Sequence, residues 1–351
     1  MKITVMNSKN SMALRLNGFL KNYYCRLTVK TKPLLLILIF LTAGCNKPFP
    51  AEKARKYIKA ADHEIIRVGQ RIEDSDAFRA ITQLYNIKTA PLPGKLLYIP
   101  ESNTYIMFEM NKHSGYYIQN TNGEIEFQRQ SDSLIIDFKP DGKPQTKTRF
   151  ILSKYEESVT ATGDIMPIKA EALIYSKGKT IFDLNLNTSI KYGFPENISL
   201  EIFAFPFSID FKSNIKFRKH VSHLNSNASI KEGEKQLLCA NIFTRVGLSE
   251  YNTLIFGKKK IKLSVYPLKL NMVSDYPFIN MPVETFTYDF NQMSKMRITD
   301  YKGNSMAHLS LKDHPERDYL NINVQYNDGS TDELEDIMLS IKYLLKFKIR
   351  H

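Results

Sequence analysis

The chain of 351 residues has no tryptophan and only three cysteines, Cys25, Cys45 and Cys239. It also lacks a G-x-S-x-G nucleophile turn, an H-E-x-x-H zinc motif and a Walker phosphate loop. Its longest run of large apolar residues, Leu34 to Leu41, is far shorter than the roughly 20 residues that a membrane-spanning helix needs. These absences argue against the common hydrolases, zinc proteases and nucleotide-binding enzymes, and against a permanent transmembrane helix.

Acidic residues are missing from the first 44 positions, which hold seven lysines and arginines. Without that segment the formal net charge falls from +13 to +6, so about half of the basic excess says nothing about nucleic acid. The apolar run follows this basic segment and ends in Ala43 and Gly44. A basic flank, a short apolar core and small residues at the end are the pattern of a secretory signal. We therefore predict a signal peptide over residues 1–44, starting at Met1 or at Met12.

The end of this segment, Leu41-Thr42-Ala43-Gly44-Cys45, resembles the lipobox of bacterial lipoproteins. Thr42 stands where the family favours leucine. The resemblance implies cleavage before Cys45, which then carries a diacylglyceryl group and usually an N-acyl chain such as palmitate. The alternative is an ordinary signal cleaved near the same place. In lipoproteins of the Bacteroidota type, surface export is associated with acidic residues after the cysteine. Asn46 and Lys47 occupy those positions here, which favours a protein on the outer membrane that faces the periplasm.

Two helices are expected next, after a tether over residues 45–50 that contains two prolines. Apolar residues from Ala54 to Ile72 recur at intervals of four and three, which is typical of one helix face. Asp74-Ser75-Asp76 then offers capping groups for a second helix. We predict a helical hairpin over residues 51–90. Its apolar seam either packs on the rest of the protein or binds a partner.

The rest of the chain shows the period of two that is typical of strands, as in Leu134, Ile136 and Phe138. Turn signals such as Asn122-Gly123 separate the apolar runs. The pattern predicts antiparallel β regions over residues 91–220 and 221–351, in one domain or two. A polar stretch at 219–235 is expected to be a loop between them. Phe286, Tyr288 and Phe290 are interpreted as a strand.

A helix is expected to close the chain, because Ser330-Thr331-Asp332-Glu333 has the pattern of a capping box. Its apolar face runs from Leu334 through Ile341 to Leu345, and we expect it to pack on the sheet. The predicted fold class is α+β and mainly antiparallel β: a curved sheet or partial barrel with an N-terminal helical hairpin and a C-terminal helix. This arrangement is similar to that of small lipoprotein carriers, in which an antiparallel sheet wraps over helices.

Three groups of residues have the composition of a functional site. His220 and His223 lie three apart, Asp313, Glu316 and Asp318 lie in one short segment, and Lys258-Lys259-Lys260 with Lys262 is the densest positive stretch. Solvated loops and turns produce the same compositions. The lysines alternatively contact the headgroup of a phospholipid or lipopolysaccharide.

These observations favour a non-enzymatic, membrane-anchored lipoprotein of the cell envelope that binds a hydrophobic ligand, a lipid or an envelope protein. No cofactor, metal or nucleic acid is predicted, and Cys45 is the one assigned site, for lipidation. The alternative is an envelope hydrolase or a glycan-processing or glycan-binding protein, with Asp313, Glu316 or Asp318 as its acids. The absence of tryptophan weakens the glycan-binding reading, although the chain has 19 tyrosines.

The Cys45→Ala variant should lose its lipid, because the thiol is the group that carries it. Each buried methylene contributes about 0.8 kcal/mol to membrane binding, so the variant should either remain uncleaved or appear as a soluble protein. Cell fractionation and mass spectrometry of the N-terminal peptide measure both results. Cys25→Ala, inside the predicted leader, is the control and should change neither. A cleaved Cys45→Ala protein that stays fully on the membrane would contradict the lipoprotein assignment.

Overall fold

The computed structural model describes residues 49–94, 98–99, 104–105, 107–139, 147–161, 163–218, 221–248, 254–276, 286–312 and 321–340. Cys45, His220, Asp313, Glu316, Asp318 and Ile341 lie outside these ranges. The helices within them are α1 (Ala51–Glu73), α2 (Asp76–Asn86), α3 (Met110–His113), α4 (Phe286–Met293) and α5 (Leu334–Ile337).

The strands make up most of the described chain. A small ladder joins β1 (Tyr98–Ile99) and β2 (Thr104–Tyr105). The main sheet contains β3 (Gly115–Gln119), β4 (Ile125–Arg129), β5 (Leu134–Phe138), β6 (Thr148–Val159), β7 (Ile165–Ser176), β8 (Lys179–Lys191), β9 (Phe194–Ala204), β10 (Phe207–Lys216), β11 (Ser222–Glu232), β12 (Lys235–Leu248), β13 (Leu254–Val265), β14 (Leu268–Ser274), β15 (Ser294–Asp300), β16 (Ser305–Lys312), β17 (Asn321–Tyr326) and β18 (Thr331–Glu333).

The main sheet is one long meander. From β5 to β18 each strand pairs antiparallel with the next, while β3 pairs in parallel with β5 and carries β4 on its other side. The result is a single curved, open sheet with helices near both ends of the chain, which confirms the predicted fold class.

The two faces of this sheet differ in chemistry, because successive side chains of a strand point to opposite sides. We call the face that contacts α1 and α2 the inner face and the opposite one the outer face. Cross-strand partners form an apolar row on the inner face: Ala170, Leu186, Leu200, Phe211, Ala228, Ala240, Leu263, Leu270, Ile298, Ala307 and Tyr326. The neighbouring residues form a polar outer row: Lys169, Asn187, Ser199, Lys212, Asn227, Asn241, Lys262, Asn271, Arg297, His308 and Gln325.

Helices α1 and α2 bury the two ends of the inner face. Ala54, Ile58 and Ala61 of α1 pack against inner residues of β13 to β17. Ala80 and Leu84 of α2 pack against inner residues of β5 to β9. The Oγ of Ser75 accepts a hydrogen bond from the Phe78 N–H (3.2 Å), as expected for the cap of α2. The predicted packing of the hairpin on the sheet is therefore confirmed.

Helix α1 runs along one end of the strands, where alternate turns of the meander lie, and we call this side the turn edge of the sheet. Near its start, the Arg55 guanidinium donates to Asp332 Oδ2 (2.7 Å) and to Ser330 Oγ (3.2 Å), beside the β17–β18 turn. Near its end, Arg71 forms a bidentate ion pair with Glu232, beside the β11–β12 turn. In an antiparallel meander these alternate turns lie at the same edge, so the helix is held against it at both ends.

The structure corrects the predicted strand at Phe286 to Phe290, which belongs to α4. The same alternation places Phe286 and Phe290 four residues apart, on one side of a helix. Both rings contact Tyr276, with centroids 5.4 and 5.7 Å apart. The aromatic spacing was compatible with both periods, and the contact with Tyr276 is made by the helix.

The predicted loop at 219–235 is also wrong over most of its length, because Ser222–Glu232 forms β11 in the middle of the sheet. Asn225 and Asn227 belong to its solvated outer side, and the apolar contribution of its inner side is small. The predicted capping box is wrong as well. Residues 331–333 form β18, and α5 begins after Glu333 without a side-chain cap.

The Asp62→Ala variant should lower the free energy of unfolding by about 1–2 kcal/mol, the usual cost of losing a helix cap. The buried Asp62 carboxylate of α1 accepts bonds from the N–H groups of Leu339 (3.0 Å) and Ser340 (2.9 Å), which tie the C-terminal segment to α1. Urea denaturation of both proteins measures the difference. His63→Ala, at the exposed neighbouring position, is the control. Equal midpoints for the two variants would show that the contact contributes nothing.

Candidate functional site

The candidate site is the part of the inner face between the two areas that α1 and α2 cover. Its residues are apolar, only partly buried or exposed, and belong to none of the hydrophobic core clusters. We call this set the central inner patch: Leu186, Ile198, Leu200, Phe211, Ala228, Ala240, Ile242, Ile261 and Met272. Ile242 is 37% exposed. The patch is therefore partly accessible, whereas α1 and α2 cover inner residues on either side of it.

Strand register makes the patch continuous. Leu186, Leu200, Phe211, Ala228 and Ala240 are successive cross-strand partners from β8 to β12. Adjacent strands lie about 4.8 Å apart, so this row extends for about 20 Å. A continuous apolar strip of this length suits an elongated hydrophobic ligand better than a compact polar one.

Hydroxyl groups lie within the adjacent row of the inner face. Ser213 and Ser226 are cross-strand partners whose Oγ atoms are hydrogen-bonded at 2.8 Å, and Ile198 and Ile242 flank them. The hydroxyls satisfy each other, which lowers the cost of placing them on an apolar surface. They place one uncharged hydrogen-bonding pair beside the apolar patch.

The central inner patch has no group that titrates or attacks. Its members are leucine, isoleucine, phenylalanine, alanine and methionine, none of which acts as an acid, a base or a nucleophile. It can bind by burial of apolar surface.

The lysines that the sequence singled out do not form one patch. Lys259 is buried, and its Nζ donates to the backbone oxygen of Tyr276 (2.6 Å). Burial lowers the pKa of Lys259 to about 8. Lys258 Nζ lies 3.3 Å from Asp275 Oδ2, and Lys262 belongs to the outer row. Lys260 and Lys262 both lie on the outer face of β13, whereas Lys259 points to the inner face, so Lys259 cannot contact the same headgroup as the other lysines.

Of the histidines and acids that the sequence singled out, only His223 belongs to the described residues. His223 lies on the outer face, where its ring stacks on Phe243 with centroids 5.4 Å apart. Cys239 lies in the apolar run Leu237-Leu238-Cys239-Ala240, yet it is half-buried on the outer face and accepts from Asn241 Nδ2 (3.4 Å). The reason is the register of β12, which turns Leu238 inward and its neighbour outward.

Potential metal ligands come together where β18 meets α5. The carboxylate oxygens of Glu333, Glu335 and Asp336 all lie within 4.8 Å of one another. Such oxygens suit Ca²⁺ or Mg²⁺. Glu333, however, already accepts a hydrogen bond from Asn321 Nδ2 (3.3 Å), and clustered acids are common without an ion. The cluster by itself does not establish a metal site.

A polar cleft of about 420 Å³ opens on strands β8 to β11 and was not anticipated from the sequence. Asn214 Nδ2 donates to Asn197 Oδ1, and Asn197 Nδ2 donates to Ser189 Oγ (2.9 Å), so the amides are ordered by their own network. The spacing of Asn225 and Asn227 by two residues was its only signal. That signal was lost because the segment was interpreted as a loop.

A second, smaller cleft of about 290 Å³ surrounds a buried ion cluster near the β7–β8 turn. Asp137 accepts from Arg149 Nε (2.7 Å) and Tyr116 OH (2.7 Å), and Lys147 Nζ lies 2.8 Å from it. Burial alone would raise the pKa of Asp137, but the hydrogen bonds from Arg149, Lys147 and Tyr116 outweigh it and lower the pKa to about 2. Lys177 lines the same cleft, which is therefore predominantly cationic.

No family model, curated protein or solved structure matches this chain. Among the described residues, no helix combines the length and the apolar character needed to cross a membrane. Function must therefore be inferred from the surfaces of the chain itself.

The Asp137→Asn variant should lower the free energy of unfolding by about 2–3 kcal/mol at pH 7, since one pKa unit corresponds to about 1.4 kcal/mol. The folded-state pKa lies below the unfolded value of about 3.9, so this stabilisation is present above pH 4 and is lost as the pH falls towards 2. Denaturation at pH 7 and at pH 2.5 measures the change. The exposed carboxylate of Asp183, as Asp183→Asn, is the control. A cost that is the same at both pH values would contradict the ionic role.

Proposed function

We propose that this protein is a lipoprotein of the cell envelope, anchored through Cys45, that binds a hydrophobic ligand such as a lipid acyl chain on the central inner patch. The observation that carries this proposal is the continuous apolar row from Leu186 to Ala240, which α1 and α2 leave partly exposed.

Energetics support a binding role for this surface. Full burial of a leucine, isoleucine or phenylalanine side chain stabilises by about 1.5–3 kcal/mol. A sheet that leaves several such side chains partly exposed forgoes part of that stabilisation in the free state and recovers it when a ligand covers them. Contiguous exposed apolar surface is the usual mark of a lipid-binding or protein-binding site.

Chemistry supports binding rather than catalysis. The nine members of the central inner patch are all apolar side chains, which bind by burial of surface. The acids of the enzymatic alternative, Asp313, Glu316 and Asp318, lie outside the described residues and are not tested. An envelope hydrolase remains the alternative. The proposed location is the periplasmic side of the outer membrane, on the lipobox resemblance and on Asn46 and Lys47.

The outer polar cleft favours a second candidate function, the binding of a polar glycan. Its outer lining offers amide and hydroxyl side chains, which pair well with sugar hydroxyls, and one ammonium group, that of Lys212: the amides and hydroxyls belong to Asn187, Ser189, Asn197, Ser199, Asn214, Asn225 and Asn227. No aromatic side chain stands among these lining residues to stack on a sugar ring. The apolar patch therefore remains the preferred site.

The Phe211→Asn variant should bind a fluorescent fatty-acid probe at least about tenfold more weakly than the wild type, because the lost burial is worth about 1.5–3 kcal/mol. Lys212→Gln is the matched control, since the next residue of β10 points to the outer face. It should leave the affinity unchanged.

Native mass spectrometry of the mature protein from its own host names the ligand class directly. Co-purified lipid that is absent from Phe211→Asn supports the proposal. A co-purified sugar would favour the outer cleft, and a co-purified protein would favour partner docking on the patch. Equal probe affinity in Phe211→Asn and Lys212→Gln would overturn the patch as the site.

A further inference from the structure

One edge of the main sheet collects exposed aromatic side chains. This turn edge consists of the turns β7–β8, β9–β10, β11–β12, β13–β14, β15–β16 and β17–β18. Phe205, Tyr266 and Tyr301 occupy three of these turns and are 59%, 65% and 44% exposed. Tyr175 and Phe203 are exposed at the ends of the adjoining strands. Large side chains held in solvent at the tips of tight turns contribute little to the core of the fold.

The aromatic rings form small groups along this edge. Tyr266 and Tyr301 lie with centroids 5.4 Å apart, and Phe203 and Phe205 lie 6.2 Å apart. Lys269 Nζ lies 4.8 Å from the centroid of the Tyr301 ring. Rings with an apolar body and a nearby cation or hydroxyl suit the boundary between a bilayer and water.

Positive charge accompanies the aromatic residues. Lys177 and Lys179 lie at the β7–β8 turn, Lys302 lies at the β15–β16 turn, and the cationic cleft with Lys147 and Arg149 opens beside Tyr175.

The acids of the turn edge are largely engaged. Asp332 pairs with Arg55, and Glu232 pairs with Arg71. Asp137 pairs with Arg149, and Asp300 accepts from N–H groups of its own turn, those of Lys302 (2.9 Å) and Asn304 (2.8 Å). Asp328 likewise accepts from the N–H (3.0 Å) and the Oγ (2.6 Å) of Ser330, and Glu234 is exposed. The balance favours contact with anionic phosphate groups.

The short segment between Cys45 and Phe49 favours the turn edge, rather than the opposite edge, as the one nearer the membrane. Phe49 lies six residues before Arg55, which donates to Asp332 and Ser330 at the β17–β18 turn, and its ring lies 5.7 Å from that of Tyr57 in α1. Cys45 precedes Phe49 by four residues, which span at most about 14 Å. The opposite edge, where Tyr192 is 69% exposed, lies a strand away, about 40 Å for the 13 residues of β8. A lipid on Cys45 therefore keeps the turn edge beside the bilayer and leaves the other edge remote.

The geometry points to the turn edge as a membrane-contact surface that rests on a phospholipid bilayer. The aromatic turns enter the headgroup region, and the lysines contact the phosphates. This inference rests on the proposed anchor at Cys45. It adds a second contact, made by the folded chain itself, that fixes how the sheet stands on the membrane.

Single-tryptophan variants test the contact, because the natural chain has no tryptophan to obscure the signal. Phe205→Trp and Tyr301→Trp report on the turn edge, and Tyr192→Trp on the opposite edge is the matched control. Each full-length lipidated protein is reconstituted into phosphatidylglycerol vesicles with and without brominated acyl chains. We expect a blue-shifted emission and loss of fluorescence to the brominated lipid for the first two variants, and neither effect for Tyr192→Trp.

The outcomes separate the two proposals. A protein without acyl chains on Cys45, shown by mass spectrometry, overturns the anchor and with it the basis of the orientation. A lipidated protein in which Phe205→Trp and Tyr301→Trp are not quenched, or in which Tyr192→Trp is quenched equally, overturns the membrane contact and leaves the anchor intact. Quenching confined to the turn edge establishes the contact.

Discussion

The fold depends on cross-strand register that keeps apolar side chains on one face from β7 to β17. Because side chains alternate, a slip of one residue in any central strand would exchange Phe211 for Lys212 or Leu263 for Lys262 on the inner face. The penalty for burying those charges fixes the register of each strand against its neighbours. Long antiparallel pairing, rather than a deep central core, therefore holds the middle of the sheet together.

The width of the sheet explains why a binding surface exists at all. Helix α1 covers the inner face from β13 to β17, and α2 covers it from β5 to β9. Only Val68 of α1, with Phe207 and Leu237, forms a buried cluster between these areas. Further along these strands the same apolar pattern continues, and the residues of the central inner patch belong to none of the clusters that α1 and α2 form. The central inner patch thus exists because the apolar register continues across the whole inner face, while α1 and α2 bury only parts of that face.

Local signals in the sequence were sufficient where one periodicity dominated. The 4-3-4-3-4 spacing from Ala54 to Ile72 and the Ser75 cap predicted the hairpin, and alternation predicted most strands. Strand β11 was not predicted from the sequence, because its inner side is only weakly apolar. Its strand structure comes from the hydrogen-bonded ladders to β10 and β12. The sequence also failed to reveal the patch and the Asn cleft, because both arise from pairing between residues distant in the chain.

The polar outer face and the apolar inner face leave few ways for the protein to stand on a membrane. If Cys45 carries the proposed lipid, the four residues from Cys45 to Phe49 span at most about 14 Å and keep Phe49 close to the bilayer. Contact of the turn edge with the membrane would direct the strands, and with them the inner face, away from the bilayer surface, with α1 lying along the line of contact. A hydrophobic ligand could then pass between bilayer and patch over a distance comparable to the strand length, without crossing bulk water as a free molecule.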